Sequence, residues 1–150
     1  MVTLRTMSKD RHDHWASNIW KVYYEELLQA GFSEEYAKDN SAPDENNSVE
    51  FGKMNPGNYV LEVVNEDLAI GNVWLVQKEA EWWIYDIELD EEHRSKGLGR
   101  LALQAIEKFV KDHQGNKLNL SVFGFNTIAQ NLYLSEGFEV TRIQMHKNFH

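Results

Sequence analysis

The chain has 150 residues, 42% of them apolar, with no cysteine, and its 15 Lys and Arg against 24 Asp and Glu leave a net charge of −9. This composition excludes disulfides, thiolate metal sites and a cysteine nucleophile, and the acidity disfavours binding to a phosphate backbone, so no nucleic-acid partner is expected. No apolar run reaches the ~18 residues of a membrane helix, and the N-terminus lacks the apolar core of a signal peptide. The expectation is therefore one cytoplasmic domain over 1–150 that makes no membrane contact.

Thr3 to Met7 alternates like a first strand, and Ser8 can cap a helix with Asp10 and Asp13 in its early turns. Trp15, Ile19, Val22, Tyr23 and Leu27 recur at spacings of three and four, the apolar stripe of that helix, which Gly31 ends. Ser33-Glu34-Glu35 restarts a helical turn that dies before Pro43. Asp39 to Pro56, rich in Asn, Asp, Glu and Gly, reads as a mobile connection over a site. Asn58–Asn65, Ala69–Gln77 and Trp82–Leu89 read as an antiparallel meander, with Gly71 marking a bend or bulge. A helix is predicted over Leu98–Asp112 and a strand over Leu118–Val122. A helix capped by Asn126 or Thr127 then runs to Gly137, and short strands follow over Phe138–Thr141 and Ile143–Lys147. The helical crossover makes the strands from Trp82 and Leu118 parallel. The fold class is α+β, with one mixed, twisted sheet.

The chemistry concentrates at His93-Arg94-Ser95-Lys96-Gly97-Leu98-Gly99-Arg100, between a strand and a helix start. The first N–H groups of a helix have no intrahelical partner, the helix dipole adds positive potential, and glycine permits close approach, so the stretch suits a phosphate-bearing ligand. It lacks the Gly-Lys-Ser/Thr ending of a Walker loop and the third glycine of a dinucleotide fingerprint. His12 and His14 point to different faces of a helix, and His93 and His146 lack a third ligand, so no metal is expected. Ser135 and Thr127 lack a His–Asp pattern, which argues against a hydrolase. Trp82 and Trp83 are adjacent in a strand and face opposite ways, one into the core and one free to wall a groove.

Taken together, Arg94-x-x-Gly97-x-Gly99 after the strand ending Ile87-Glu88-Leu89, the strand Leu118–Val122, and Asn126-x-x-Ala129-x-x-Leu132-Tyr133 through Glu136-Gly137-Phe138 resemble the GNAT superfamily of acyl-CoA-dependent N-acetyltransferases. The resemblance is close from Ile84 to Val140 and looser elsewhere. It implies a central sheet of about seven strands flanked by about four helices. It also implies acetyl-CoA as the cofactor, its pyrophosphate held by main-chain N–H groups of Arg94, Ser95, Lys96, Gly97, Leu98, Gly99 and Arg100. Ser95 stands where the family usually has glycine, and as a non-glycine residue it is expected at negative φ. Ile87 and Leu89 match a segment that carries a β-bulge in the family and whose backbone pairs with the pantetheine arm.

By the same resemblance Asn126 bonds the cofactor arm, and Tyr133, two helical turns on, gives its proton to the departing thiolate. Glu88 and Asp86 alternate on one face of the strand. Either can accept the amine's proton through water or bind its ammonium form; Glu88 is the preferred base. The implied reaction is direct attack of a primary amine, of a small molecule or a protein, on the thioester in a ternary complex. The alternative is a non-catalytic acyl-CoA-binding or sensor domain. Acidity leans the amine-bearing acceptor toward a cationic small molecule such as a polyamine or aminosugar, and dimers being common in the superfamily, a homodimer is an open expectation.

Overall fold

The computed structural model describes residues 1–43 and 47–149. Five strands and four α-helices occur among them, in the order β1 (Val2–Thr6), α1 (Lys9–Gln29), α2 (Glu34–Asn40), β2 (Asn58–Asn65), β3 (Leu68–Lys78), β4 (Glu81–Leu89), α3 (Leu98–Asp112), β5 (Lys117–Leu120) and α4 (Thr127–Ser135). The strands form one sheet in sequence order, antiparallel from β1 to β4 and parallel between β4 and β5. The helices start where local chemistry predicts. Ser8, Ser33 and Asn126 each accept a hydrogen bond from a backbone N–H of the first turn, from Arg11, Tyr36 and Ala129 respectively.

Each face of the sheet has its own core. On one face Leu61, Val63, Val73, Leu75, Trp82 and Ile84 pack against Ala102, Leu103, Ile106 and Val110 of α3. On the other, Val60, Trp74 and Val76 meet Trp15 of α1 together with Met7 and Val49. Glu62 is buried on this second face. It accepts from Arg5 Nη2 at 2.9 Å and from the Ser8 N–H at 2.9 Å, so its charge ties β1, β2 and the start of α1 together. Within the α1 stripe, Trp15 and Leu27 are buried, but Val22 is exposed and His12 is buried in its stead, with Nε2 2.9 Å from the Val49 carbonyl oxygen.

Two register shifts shape the sheet. Ile70 has no Cα partner on β2, next to Gly71, where a Cβ would lie 2.5 Å from the Glu88 carbonyl oxygen. That close approach admits only glycine, as the sequence suggests. The second shift leaves Tyr85 of β4 without a partner, since Trp74 pairs with Asp86 and Leu75 with Ile84.

The expected seven strands are reduced to five. Phe138–Thr141 and Ile143–Lys147 join no ladder among the described residues, and Val140, Ile143 and Met145 are 66–84% exposed. These segments read as short strands in the sequence, but a strand also needs a partner backbone, which a local reading does not supply. The tail runs beside the α1–α2 turn, with the His146 ring against Phe32 and Asn148 Nδ2 3.4 Å from the Gly31 carbonyl oxygen. The predicted connection Asp39–Pro56 is described except for 44–46, which lie outside the described residues.

Candidate functional site

β4 and β5 pair only from Glu81↔Lys117 to Ile84↔Leu120. Beyond Ile84 the β5-facing edge of β4 has no strand partner among the described residues, so the sheet splits where the register shift at Tyr85 begins. The shift comes two residues before the predicted Ile87–Leu89, and its position decides what faces α1. Two consecutive side chains, Tyr85 and Asp86, both point to that face: the Tyr85 ring lies 5.1 Å from Trp74, and Asp86 Oδ2 accepts from Trp15 Nε1 at 3.1 Å. Ile87 returns to the α3 core, and Glu88 lies on the α1 face again, paired across the ladder with Asn72.

Three carboxyl groups therefore gather beside the split: Asp86 and Glu88 of β4 and Glu26 of α1. Burial pushes Asp86 up to about 6; the Trp15 N–H opposes the shift and the Glu88 charge adds to it. Burial also raises Glu26, with Asp86 and Glu88 adding to the effect. Glu88 is half-exposed and accepts from Arg94 Nη2 at 2.9 Å.

The loop after β4 begins with a short 3-10 turn, Glu91–His93. Arg94 folds back, donating from Nε to the Leu89 carbonyl oxygen at 2.8 Å as well as to Glu88, so it staples the loop to the strand end. The Leu89 carbonyl is thereby engaged. Ser95 stands at φ 62, against the expectation of negative φ; the turn requires a left-handed residue there, and serine accepts the strain. Ser95→Gly is accordingly expected to raise unfolding free energy by up to about 1 kcal/mol, read as a shifted denaturant midpoint with unchanged slope.

The N–H groups of Ser95, Lys96 and Gly97 make no hydrogen bond among the described residues, and Gly97, at φ 77, caps α3 with no side-chain bond. A Cβ on Gly97 would meet nothing within 4 Å, so the approach to these N–H groups is open. Lys96 is exposed beside them. Leu98 and Gly99 turn inward, Gly99 against Leu132 of α4. Arg100 is committed elsewhere: its Nη1 donates to Glu136 Oε2 at 2.5 Å, locking α3 to the end of α4.

Tyr133 sits on the opposite side of the split from Asp86. Its ring packs on the α3-side core and 5.7 Å from Phe138. Burial raises its hydroxyl above the ordinary range, with the Asp86 charge adding, so the phenol holds its proton at neutral pH. Asn126 is exposed at the head of the same helix.

An uncapped helix start below a split parallel pair, with a carboxylate on one face and a phenol on the other, offers an anion site beside an open strand edge. The exposed N–H groups can receive a phosphate, and the free edge of β4 can pair with an extended ligand's amides. The sequence missed Glu26 as a member of this group, although it stands on the predicted amphipathic helix; Trp15 belongs to the aromatic set of that helix, read as core with one or two members able to line a groove. The comparisons agree with the geometry. The sequence model of the acetyltransferase (GNAT) family matches residues 17–138. YdgE of Bacillus subtilis (strain 168), an uncharacterised N-acetyltransferase, is 28% identical over 153 residues, covering 97% of this chain and 96% of its own. The crystal structure of YycN from the same organism superposes with a TM-score of 0.86 at 27% identity, covering 100% of this chain and 99% of that one. The structure of AAC(6')-Iy in complex with the bisubstrate analog CoA-S-monomethyl-acetylneamine shares the fold, with a TM-score of 0.59 at 14% identity over 100% of this chain and 99% of that one.

Proposed function

Because the chain belongs to the acetyltransferase (GNAT) family, we propose that it moves acetyl from acetyl-CoA to a primary amine by direct attack in a ternary complex, within one domain spanning 1–150. The observation that carries the reading is the parting of β4 from β5 after Ile84, which leaves Asp86 and Tyr133 on opposite faces of one opening. The relative AAC(6')-Iy, crystallised with a bisubstrate analog that joins CoA to an acetylated amine, supports the class of reaction.

Acetyl-CoA supplies an activated thioester. The N–H groups of Ser95 to Gly97 and the start of α3 hold its pyrophosphate, with Lys96 alongside. Backbone groups of Ile87, and the remaining free edge of β4, bind the arm as an added strand would. Arg94 acts through the loop it staples and Arg100 through the α3–α4 clamp, so both position the cradle. Asn126 holds the start of α4 and with it the phenol two turns on.

The acceptor amine arrives from the α1 face as an ammonium ion. Glu26, Asp86 and Glu88 attract it, and its charge relieves their mutual repulsion. Asp86, rather than the Arg94-paired Glu88, takes its proton, directly or through water. A carboxylate poised near 6 is deprotonated at pH 7 yet basic enough for the task. As the N–C bond forms and the C–S bond breaks, Tyr133 gives its phenolic proton to the sulfur and regains one from solvent or the amine. Calorimetric titration with CoA tests the reading: saturable binding is expected, and no heat of binding at millimolar CoA would overturn it.

A further inference from the structure

A cavity of about 430 Å³ opens on the α1 face of the sheet, and no step above uses it. Its size falls in the range of small-molecule sites, which start at roughly 300 Å³. Three rings wall it. Trp20 comes from α1, Trp74 from β3 and Tyr85 from the register shift in β4. The Trp20 and Tyr85 rings stand edge-on to Trp74, at centroid separations of 6.3 and 5.1 Å.

The two ends differ in charge. Trp74 pairs across the ladder with Asp86 and Tyr85 precedes Asp86 in β4, so the inner end lies next to Asp86, although no carboxylate among the described residues lines the cavity itself. Lys78, another lining residue, stands four residues further along β3, roughly 13 Å away at the rise of a strand. Its ammonium lies 5.2 Å from the centre of the Trp83 ring and has no carboxylate within ion-pair distance among the described residues. An aromatic wall that starts beside Asp86 and a cation at the far end make a site with direction.

We propose that this cavity holds the body of the acceptor, and that the acceptor is an elongated zwitterion, a primary amine and an anionic group at opposite ends of a flat ring spacer. The claim rests on the reading that the amine reacts beside Asp86. The ring lies among Trp20, Trp74 and Tyr85, where edge-to-face contact is favourable, and the anion meets Lys78. A polyamine fits poorly, since its second cation would be brought against the Lys78 ammonium. The −9 net charge alone leans toward such a polycation, but Lys78, the charged side chain lining the cavity among the described residues, opposes that lean at the far end.

Acetylation of 4-(2-aminoethyl)benzoate, its neutral carboxamide and spermidine decides the matter, followed by release of free CoA thiol. The benzoate is expected to exceed the carboxamide at least tenfold in kcat/KM, and spermidine by more. Lys78→Glu should abolish or invert the benzoate preference while leaving calorimetric CoA affinity within twofold. Trp20→Ala should raise KM for both ring amines with a smaller change in kcat. Equal use of benzoate and carboxamide, preference for spermidine, or a ratio untouched by Lys78→Glu would each overturn the proposal; turnover of spermidine alone would do so while leaving the acetyltransferase reading intact. Should CoA fail to bind, the acetyltransferase reading falls on its own. The benzoate is then titrated into the free protein, where saturable binding that Lys78→Glu abolishes supports the cavity and its absence overturns it.

Discussion

Replacing Tyr133 by Phe is expected to lower kcat by 10²- to 10⁴-fold while leaving CoA affinity within about twofold, the span that removal of one general acid covers. The phenyl ring keeps the packing on Phe138 and on the α3-side core, so unfolding should be nearly unchanged. Only the hydroxyl is lost, and with it the proton proposed for the departing sulfur. Single-turnover acetylation with thiol detection separates the outcomes. Unchanged turnover would remove Tyr133 from the mechanism, and an equal fall in CoA binding would make it a binding group. A protein that bound CoA with no turnover in either form would be the acyl-CoA sensor that the motif alone also allows.

Asp86→Asn is expected to be the second large effect, and it acts in two directions. Activity should fall by a similar 10²- to 10⁴-fold, and the acid limb of the kcat/KM profile, centred near pH 6 in the native protein, should disappear. Stability should move the other way. The folded-state value is raised from 3.8 to about 6, so the native protein binds this proton more tightly than the unfolded chain. That contribution is complete below about pH 4 and lost as pH rises through 6. Above that, the folded state carries the cost of a desolvated carboxylate, on the order of 3 kcal/mol. Asn retains an oxygen for the Trp15 N–H without the charge. The variant should therefore unfold at higher denaturant at pH 8 and match the native protein near pH 4. Loss of stability at pH 8 would mean that the ionised carboxylate is held favourably, contrary to the burial that raises it.

The expected effects of Asp86 centre on the bulged stretch of β4, which was also hard to read in the chain. The helices were legible because α1 and α3 carry apolar stripes and Ser8 caps the first of them. The loop from Arg94 to Arg100 was legible as a motif, yet motif spacing could not tell that Arg100 spends its charge on Glu136 or that Arg94 turns back to Leu89. The preference for Glu88 over Asp86 had a similar limit. Alternation put both on one face, and only the ladder with β3, together with the helix laid across it, decides that Asp86 goes under Trp15 while Glu88 stays at the rim with Arg94. The register shift at Tyr85 depends on which β3 residue opposes which β4 residue, a non-local fact. The C-terminal strands failed for the same cause, a periodic segment with no partner edge.

The indole of Trp15 has a further consequence, optical rather than chemical. Its N–H rests on Asp86, the carboxylate that burial pushes up to about 6, and Trp20, Trp74 and Trp83 share its face of the sheet, leaving Trp82 alone on the other. Four of the five tryptophans thus look onto the side from which the amine would come. The ultraviolet emission of the unlabelled protein should shift as Asp86 gains or loses its proton.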